Sequence, residues 1–130
     1  MGFNHFDEKG NAVMVDISGK DVTYRTATAE GSIHVSSEIM EAVLNRTMKK
    51  GDVLGVARVA GIMAVKQTSS IIPMCHPLLI SKCSVDFDVL PEEQEIRAVC
   101  TVRTEGRTGV EMEALHGVSA SLLTIYDMCK

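Results

Sequence analysis

A chain of 130 residues can bury roughly two thirds of the surface it exposes when unfolded, enough for a core of its own. With 45% hydrophobic and 23% charged residues it falls outside the disordered, collagenous and fibrous classes, and no apolar run approaches the ~20 residues of a membrane span. A net charge of −4, with no Trp, two Tyr and three Phe, argues against a nucleic-acid or anionic-membrane surface, because such surfaces need a broad positive field and stacking platforms.

The opening MGFNHFDEKG lacks the basic-then-apolar order of a secretory signal. The 4 cysteines, at positions 75, 83, 100 and 129, read as reduced thiols of a cytoplasmic protein. No repeat, low-complexity tract or Pro/Gly/Ser linker divides the chain, so residues 1–130 are expected to form a single domain.

In chain order, residues 12–17 and 21–35 are rich in Val, Ile, Thr and Tyr, and Val22, Tyr24 and Thr26 alternate with Thr23 and Arg25; two strands are predicted. From Ser37 the period changes, with Ile39, Met40, Val43, Leu44 and Met48 at helical spacing. Ser37 is the expected N-cap and Gly51 the stop. Asp52 caps a second predicted helix over 53–69, largely buried, whose small residues Ala57, Ala60, Gly61 and Ala64 suit close helix contact at an interface. Pro73 and Pro77 make 71–78 an ordered loop. Alternation in Val85, Phe87 and Val89, a turn at PEEQ (91–94), and alternation again in Ile96, Ala98, Cys100 and Val102 give an antiparallel hairpin. After a glycine-flanked turn, 110–130 carries Val110, Ala114, Val118, Leu122, Ile125 and Cys129 at helical spacing. This order favours an α+β layer of helices on an antiparallel sheet.

Several residues carry chemistry, and each has a plainer reading. Lys49 and Lys50, before Gly51, suit the last turn of a helix, where cations meet its dipole; a lysine beside a glycine turn also reaches a phosphate. His76, fixed between Cys75 and Pro77, titrates near neutral pH and passes protons, or is a loop histidine with one hydrogen bond. Neither CxxC nor HxxxH spacing occurs, so no metal site is expected. GRTGVEMEAL (106–115) places two glycines around Arg107 and Thr108 where free N–H groups attract phosphate, although it is no P-loop. Glu111 and Glu113 are first-turn carboxylates or a catalytic pair; if the backbone there is extended, they face one side. Asp127 and Lys130 share a helical face as an ion pair worth a few tenths of a kcal/mol if exposed. Arg25, Arg58, Lys66, Gln67 and Arg103 decide little singly, since such side chains are commonly solvated or snorkelling.

Five segments together, MVDISGK (14–20), KKGDVL (49–54), AGIMAVKQTSSIIPMCHPL (60–78), GRTGVEMEAL (106–115) and LTIYDMCK (123–130), closely resemble the MoaC family of molybdenum cofactor biosynthesis, in that family's own order. The resemblance implies a ferredoxin-like α+β fold and a lyase that converts 3′,8-cyclo-7,8-dihydro-GTP to cyclic pyranopterin monophosphate with release of pyrophosphate, without a cofactor. It also implies a homohexamer of three dimers with its sites at dimer interfaces. By motif, the implied catalytic residues are Lys50, His76, Asp127 and Lys130. The implied substrate contacts are Cys75, His76, Glu111, Met112 and Glu113, with Lys66 and Arg107 added as anion contacts. Position 67 is Gln where many relatives are basic, and relatives continue beyond Lys130, so a further segment is expected there. The rival reading is a nucleotide-sensing module, which explains the lysines, Arg107 and the glycines but not carboxylates gathered around an anion.

Overall fold

Alternation along the late hairpin dictates the centre of the structure. The computed structural model describes residues 5–130, and in it β2 (Ile80–Leu90) turns through a short 3-10 segment at Pro91–Glu93 into β3 (Glu95–Gly106). Gln94 closes that turn in the left-handed region (φ 52°). A long strand β1 (Thr23–His34) pairs with the other edge of β3, giving a three-stranded antiparallel sheet of order β1-β3-β2. One face of β3, formed by Ile96, Ala98, Cys100, Val102 and Thr104, has no solvent exposure at all. Each large apolar side chain so buried contributes roughly 1.5–3 kcal/mol.

Helices cover that face. After α1 (Ser37–Leu44) come α2 (Val53–Lys66), the single turn α3 (Thr68–Ile71) and, following the hairpin, α4 (Glu111–Cys129). The Asp52 carboxylate caps α2 by accepting from the Gly55 N–H at 3.0 Å. α2 and α4 lie side by side on the sheet and cross where two glycines meet. A Cβ on Gly61 would stand 2.2 Å from Ser121 Oγ, and one on Gly117 would stand 2.7 Å from Cys100 Sγ. One core cluster (Val65, Val85, Ala98, Cys100, Val102, Val110, Ala114, Val118) fills the end near the start of α4. A second (Met40, Val43, Val53, Ala57, Ile96, Ile125, Met128) fills the other end. The antiparallel sheet with helices on one face is the predicted α+β class, and the order β-α-β-β-α with strand order 1-3-2 fits five of the six elements of a ferredoxin-like pattern.

Four local expectations are corrected. Residues 13–17 form no strand: only an isolated bridge between Phe6 and Ala12 occurs nearby. Val15 and Ile17 are half-buried while Asp16 and Ser18 are exposed, so the alternation is real, but what covers it is a cavity and not a sheet neighbour. The first helix is capped by the Ser36 hydroxyl, not by Ser37, and ends eight residues later. Arg46 takes the left-handed position (φ 56°), with Arg46 N–H donating to Val43 O and Thr47 N–H to Ala42 O, a Schellman stop made without glycine. Met48 reaches the core from the turn beyond, which is why its spacing mimicked a further helical turn. Lys49 and Lys50 therefore lie outside α1. The small residues Ala57 and Gly61 pack inside the chain, and the second helix is less buried than predicted, since Val56, Val59 and Met63 point outward.

Candidate active site

Glu113 marks one end of α4. It lies in the first helical turn, where carboxylates suit the dipole, yet only 4% of its surface is exposed. Burial pushes its carboxyl above the usual range, offset in part by its own backbone N–H, and the neighbouring Glu111 adds to the rise. A carboxyl so raised is suited to exchanging protons. It faces a cavity of about 230 Å³ whose walls include Cys75, His76 and Leu78 from the 72–79 loop, Val15, Ile17 and Lys20 from the segment before β1, and Thr108, Gly109, Glu111 and Met112. Burial also raises the Cys75 thiol, helped by the negative charge of Glu113.

Because α4 starts at Glu111, the two glutamates are not on an extended segment as the i, i+2 reading required. Glu111 is exposed and curls over Gly109, where a Cβ would stand 2.3 Å from its carboxylate oxygens. That glycine is needed for this approach. Both carboxylates nonetheless border the same cavity. Arg107 borders a second hollow of about 580 Å³, shared with Asp16, Ser18, His76 and Pro77. The Ser18 hydroxyl at 2.7 Å and its backbone N–H at 2.9 Å donate to the Asp16 carboxylate and hold it below the usual carboxylate range, with His76 nearby adding to the effect. Lys66 ends α2, exposed.

The remaining expected residues sit at the far end of α4. Lys50 Nζ donates to the carbonyl of Asp127 at 2.6 Å, so its helix-capping role is genuine but is performed on α4 and not on α1. Lys130 and Asp127 form an ion pair at 3.4 Å, with both side chains more than half exposed. From Glu113 to Lys130 the helix spans about 25 Å at 1.5 Å per residue. The residues singled out from the sequence therefore fall into two groups: Cys75, His76, Glu111, Met112, Glu113 and Arg107 at one end of α4, and Lys50, Asp127 and Lys130 at the other.

Comparison with known proteins separates the readings of this arrangement. The MoaC family profile matches residues 14–130. The chain belongs to the MoaC family. Curated relatives named cyclic pyranopterin monophosphate synthase include a protein of Clostridium botulinum, 58% identical over 98% of this chain and 80% of its own length. One of Trichlorobacter lovleyi is 55% identical over 100% and 81%, and one of Bacillus subtilis 54% identical over 99% and 77%. The MoaC match begins at the MVDISGK segment, whose Val15, Ile17 and Lys20 wall the cavity although sequence reasoning assigned them no role. The signal was present in their alternation and was read as a strand. Other basic residues have structural partners: Arg25 donates to Gly106 O, Arg58 to Val85 O, and Arg103 lies over the Tyr24 ring. Among the described residues, no group of three or more His, Cys, Asp or Glu is placed to hold a metal, and no helix is long and apolar enough to cross a membrane. All four cysteines are free, and burial lifts the Cys100 thiol to about 12, which makes it inert packing.

Proposed function

We propose that this chain is a cyclic pyranopterin monophosphate synthase, converting 3′,8-cyclo-7,8-dihydro-GTP to cyclic pyranopterin monophosphate and pyrophosphate. The observation that carries the reading is a cavity walled by both the CHP loop and the VEME turn, in a chain 58% identical to a curated synthase. A cytoplasmic location fits its four free thiols.

Closing the cyclic phosphate joins a substrate hydroxyl oxygen to the α-phosphorus and breaks the α–β phosphoanhydride bond. The hydroxyl proton must leave, and pyrophosphate departs with the negative charge. Lys50 and His76 hold the triphosphate and ease that departure, with Lys66 and Arg107 as further anion contacts. Lys130, aided by Asp127, moves protons at the ring. Glu113, its carboxyl raised by burial, and Glu111 orient or deprotonate the pterin-forming portion, beside Cys75 and Met112.

These roles require both half-sites at one substrate, and a second copy supplies the missing half. Val56, Val59 and Met63 of α2, with Leu115, Leu123 and Tyr126 of α4, form an exposed apolar stripe along the layer that joins the two ends. The stretch Leu115–Tyr126 and the stretch Glu111–Lys130 share one midpoint, between Ala120 and Ser121. A two-fold axis there pairs the helices antiparallel and sets Lys130 of one copy beside Glu111 of the next, making two composite sites per dimer. Assembly of three such dimers gives the hexamer.

Incubation with the cyclised GTP intermediate tests the reading: stoichiometric pyrophosphate and pterin product support it. Tight binding without release favours a nucleotide-sensing module instead.

A further inference from the structure

Among the described residues, four polar or charged side chains are buried: Thr68, Thr104, Glu113 and Ser121. Ser121 satisfies itself on the Gly117 carbonyl within α4. The other three surround the 72–79 loop: Thr68 stands four residues before it, Thr104 grips its last residue, and Glu113 faces it across the cavity.

The hydrogen positions at Thr68 follow from electrostatics. Its Oγ1 lies 3.1 Å from Ala64 O and 3.3 Å from Val65 O, and 3.0 Å from His116 Nδ1. A hydroxyl oxygen so close to two carbonyl oxygens is repelled unless its own hydrogen lies between them. That hydrogen is then committed to the end of α2, and the bond to His116 forms only if Nδ1–H donates. His116 therefore ties the α2–α3 corner, from which the loop departs, to α4 at the turn after Glu113. At the far end the Thr104 hydroxyl, with no exposure, donates to the Leu79 carbonyl. Both ends of the segment bearing Cys75 and His76 are thus pinned by a buried hydroxyl, one to α4 and one to β3.

We propose that Thr68 with His116, and Thr104, are positioning residues that hold the Cys75–His76 loop in register with Glu113 for the reaction given above. None of the three borders the cavity, so they act through the loop. The inference rests on the synthase reading for its kinetic consequence, though not for its structural one. Valine matches threonine in shape, so the substitution removes the hydroxyl's hydrogen bonds while leaving the apolar packing around it. A loop displaced by a fraction of an ångström then loses rate.

The experiment compares Thr68→Val, Thr104→Val and Thr68→Ser with the wild-type full chain, by pyrophosphate release and by hydrogen exchange. The valine variants are expected to lose about tenfold or more in kcat with KM changed by less than about threefold, and Thr68→Ser to recover most of it. The Cys75 amide, held by Ile72 O at 3.1 Å, is expected to exchange about tenfold faster in the valine variants while the β3 amides do not change. Valine variants with wild-type kcat and wild-type Cys75 exchange overturn the proposal; lowered thermal stability with unchanged kcat overturns it too. If Thr68→Val does not fold, His116→Asn and His116→Gln carry the test, since Asn sets an amide N–H where Nδ1–H stood and Gln does not: Asn should retain activity and loop protection, Gln lose both. Absence of pyrophosphate release from the wild type sinks the synthase reading alone, and the exchange data still decide the loop's anchorage.

Discussion

The two ends of α4 carry chemically related groups in opposite environments. At the first turn, Glu113 is almost wholly enclosed and its carboxyl is raised by burial. At the last turn, Asp127 and Lys130 stand in solvent, where water screens their ion pair. The enclosed end is organised by this chain's own fold, through the loop, the glycine turn and the sheet beneath. The open end carries an exposed ion pair and the Lys50 ammonium. A charged cluster gains catalytic strength when water is excluded, so the composite site proposed above requires a covering surface at the open end, and the bare apolar stripe beside it is the place where that proposal attaches one.

The strongest way to break this comparison is to inactivate each end separately. Lys130→Ala and His76→Ala are each expected to reduce turnover by 10²-fold or more, in assemblies whose size is unchanged. Mixed one to one after subunit exchange, the two inactive proteins should regain about a quarter of wild-type activity, because a composite site is intact only when both contributing copies are wild type at their own half. No recovery in a verified mixed assembly means that both ends serve one substrate within one chain or not at all.

Next in size is the stripe. Leu123, 70% exposed, can be changed to Glu without disturbing the core it does not touch. Sedimentation should show smaller species, circular dichroism a folded chain, and the pyrophosphate assay a loss that tracks dissociation. A fully assembled, fully active Leu123→Glu protein moves the interface elsewhere.

Glu113→Gln separates stability from activity at the enclosed end. The folded-state carboxyl titrates above its unfolded value, so the folded chain holds the extra proton between the two values. Stability is therefore highest below the ordinary carboxyl range near 4.5 and falls as pH rises through the folded value. The Gln variant removes that penalty. Its melting temperature should exceed wild type at neutral pH, the gain should vanish on acidification, and turnover should fall. Equal melting curves at both pH values contradict the burial argument.

Periodicity made the hairpin and α4 legible, because in each the spacing of apolar side chains records which face is covered. It placed β1 but not its faces, since Val22 and Tyr24 are exposed while Ala27, Ala29 and Ile33 pack inward, and it placed α2 while overstating its burial at Val56 and Met63. It misled where the cover was something else. Val15 and Ile17 alternate like strand residues because a cavity takes one side. Met48 extends a helical spacing from a turn because it fills the same core as Met40. Motifs singled out the candidate residues yet could not say that they fall into two groups at opposite ends of α4, since sequence separation within a chain carries no information about a second copy. The buried hydroxyls of Thr68 and Thr104 left no trace at all: threonine in a strand or at a helix end is ordinary until its partner is seen.

The smallest predicted effect sharpens the contrast most directly. In the dissociated Leu123→Glu background, Asp127→Asn should change unfolding free energy by less than about 0.5 kcal/mol, as expected of an exposed i, i+3 pair at 3.4 Å, and added salt should abolish even that. In the intact assembly the same substitution should matter more, because a covering copy removes water from the pair and strengthens every charge–charge term around it. The difference between the two backgrounds, read from denaturant titrations of single and double variants, measures how much of the open end is built by the partner. Equal effects in both would mean that assembly leaves the pair as wet as the isolated chain does, and the proton-transfer role given to Lys130 and Asp127 would lose its physical basis.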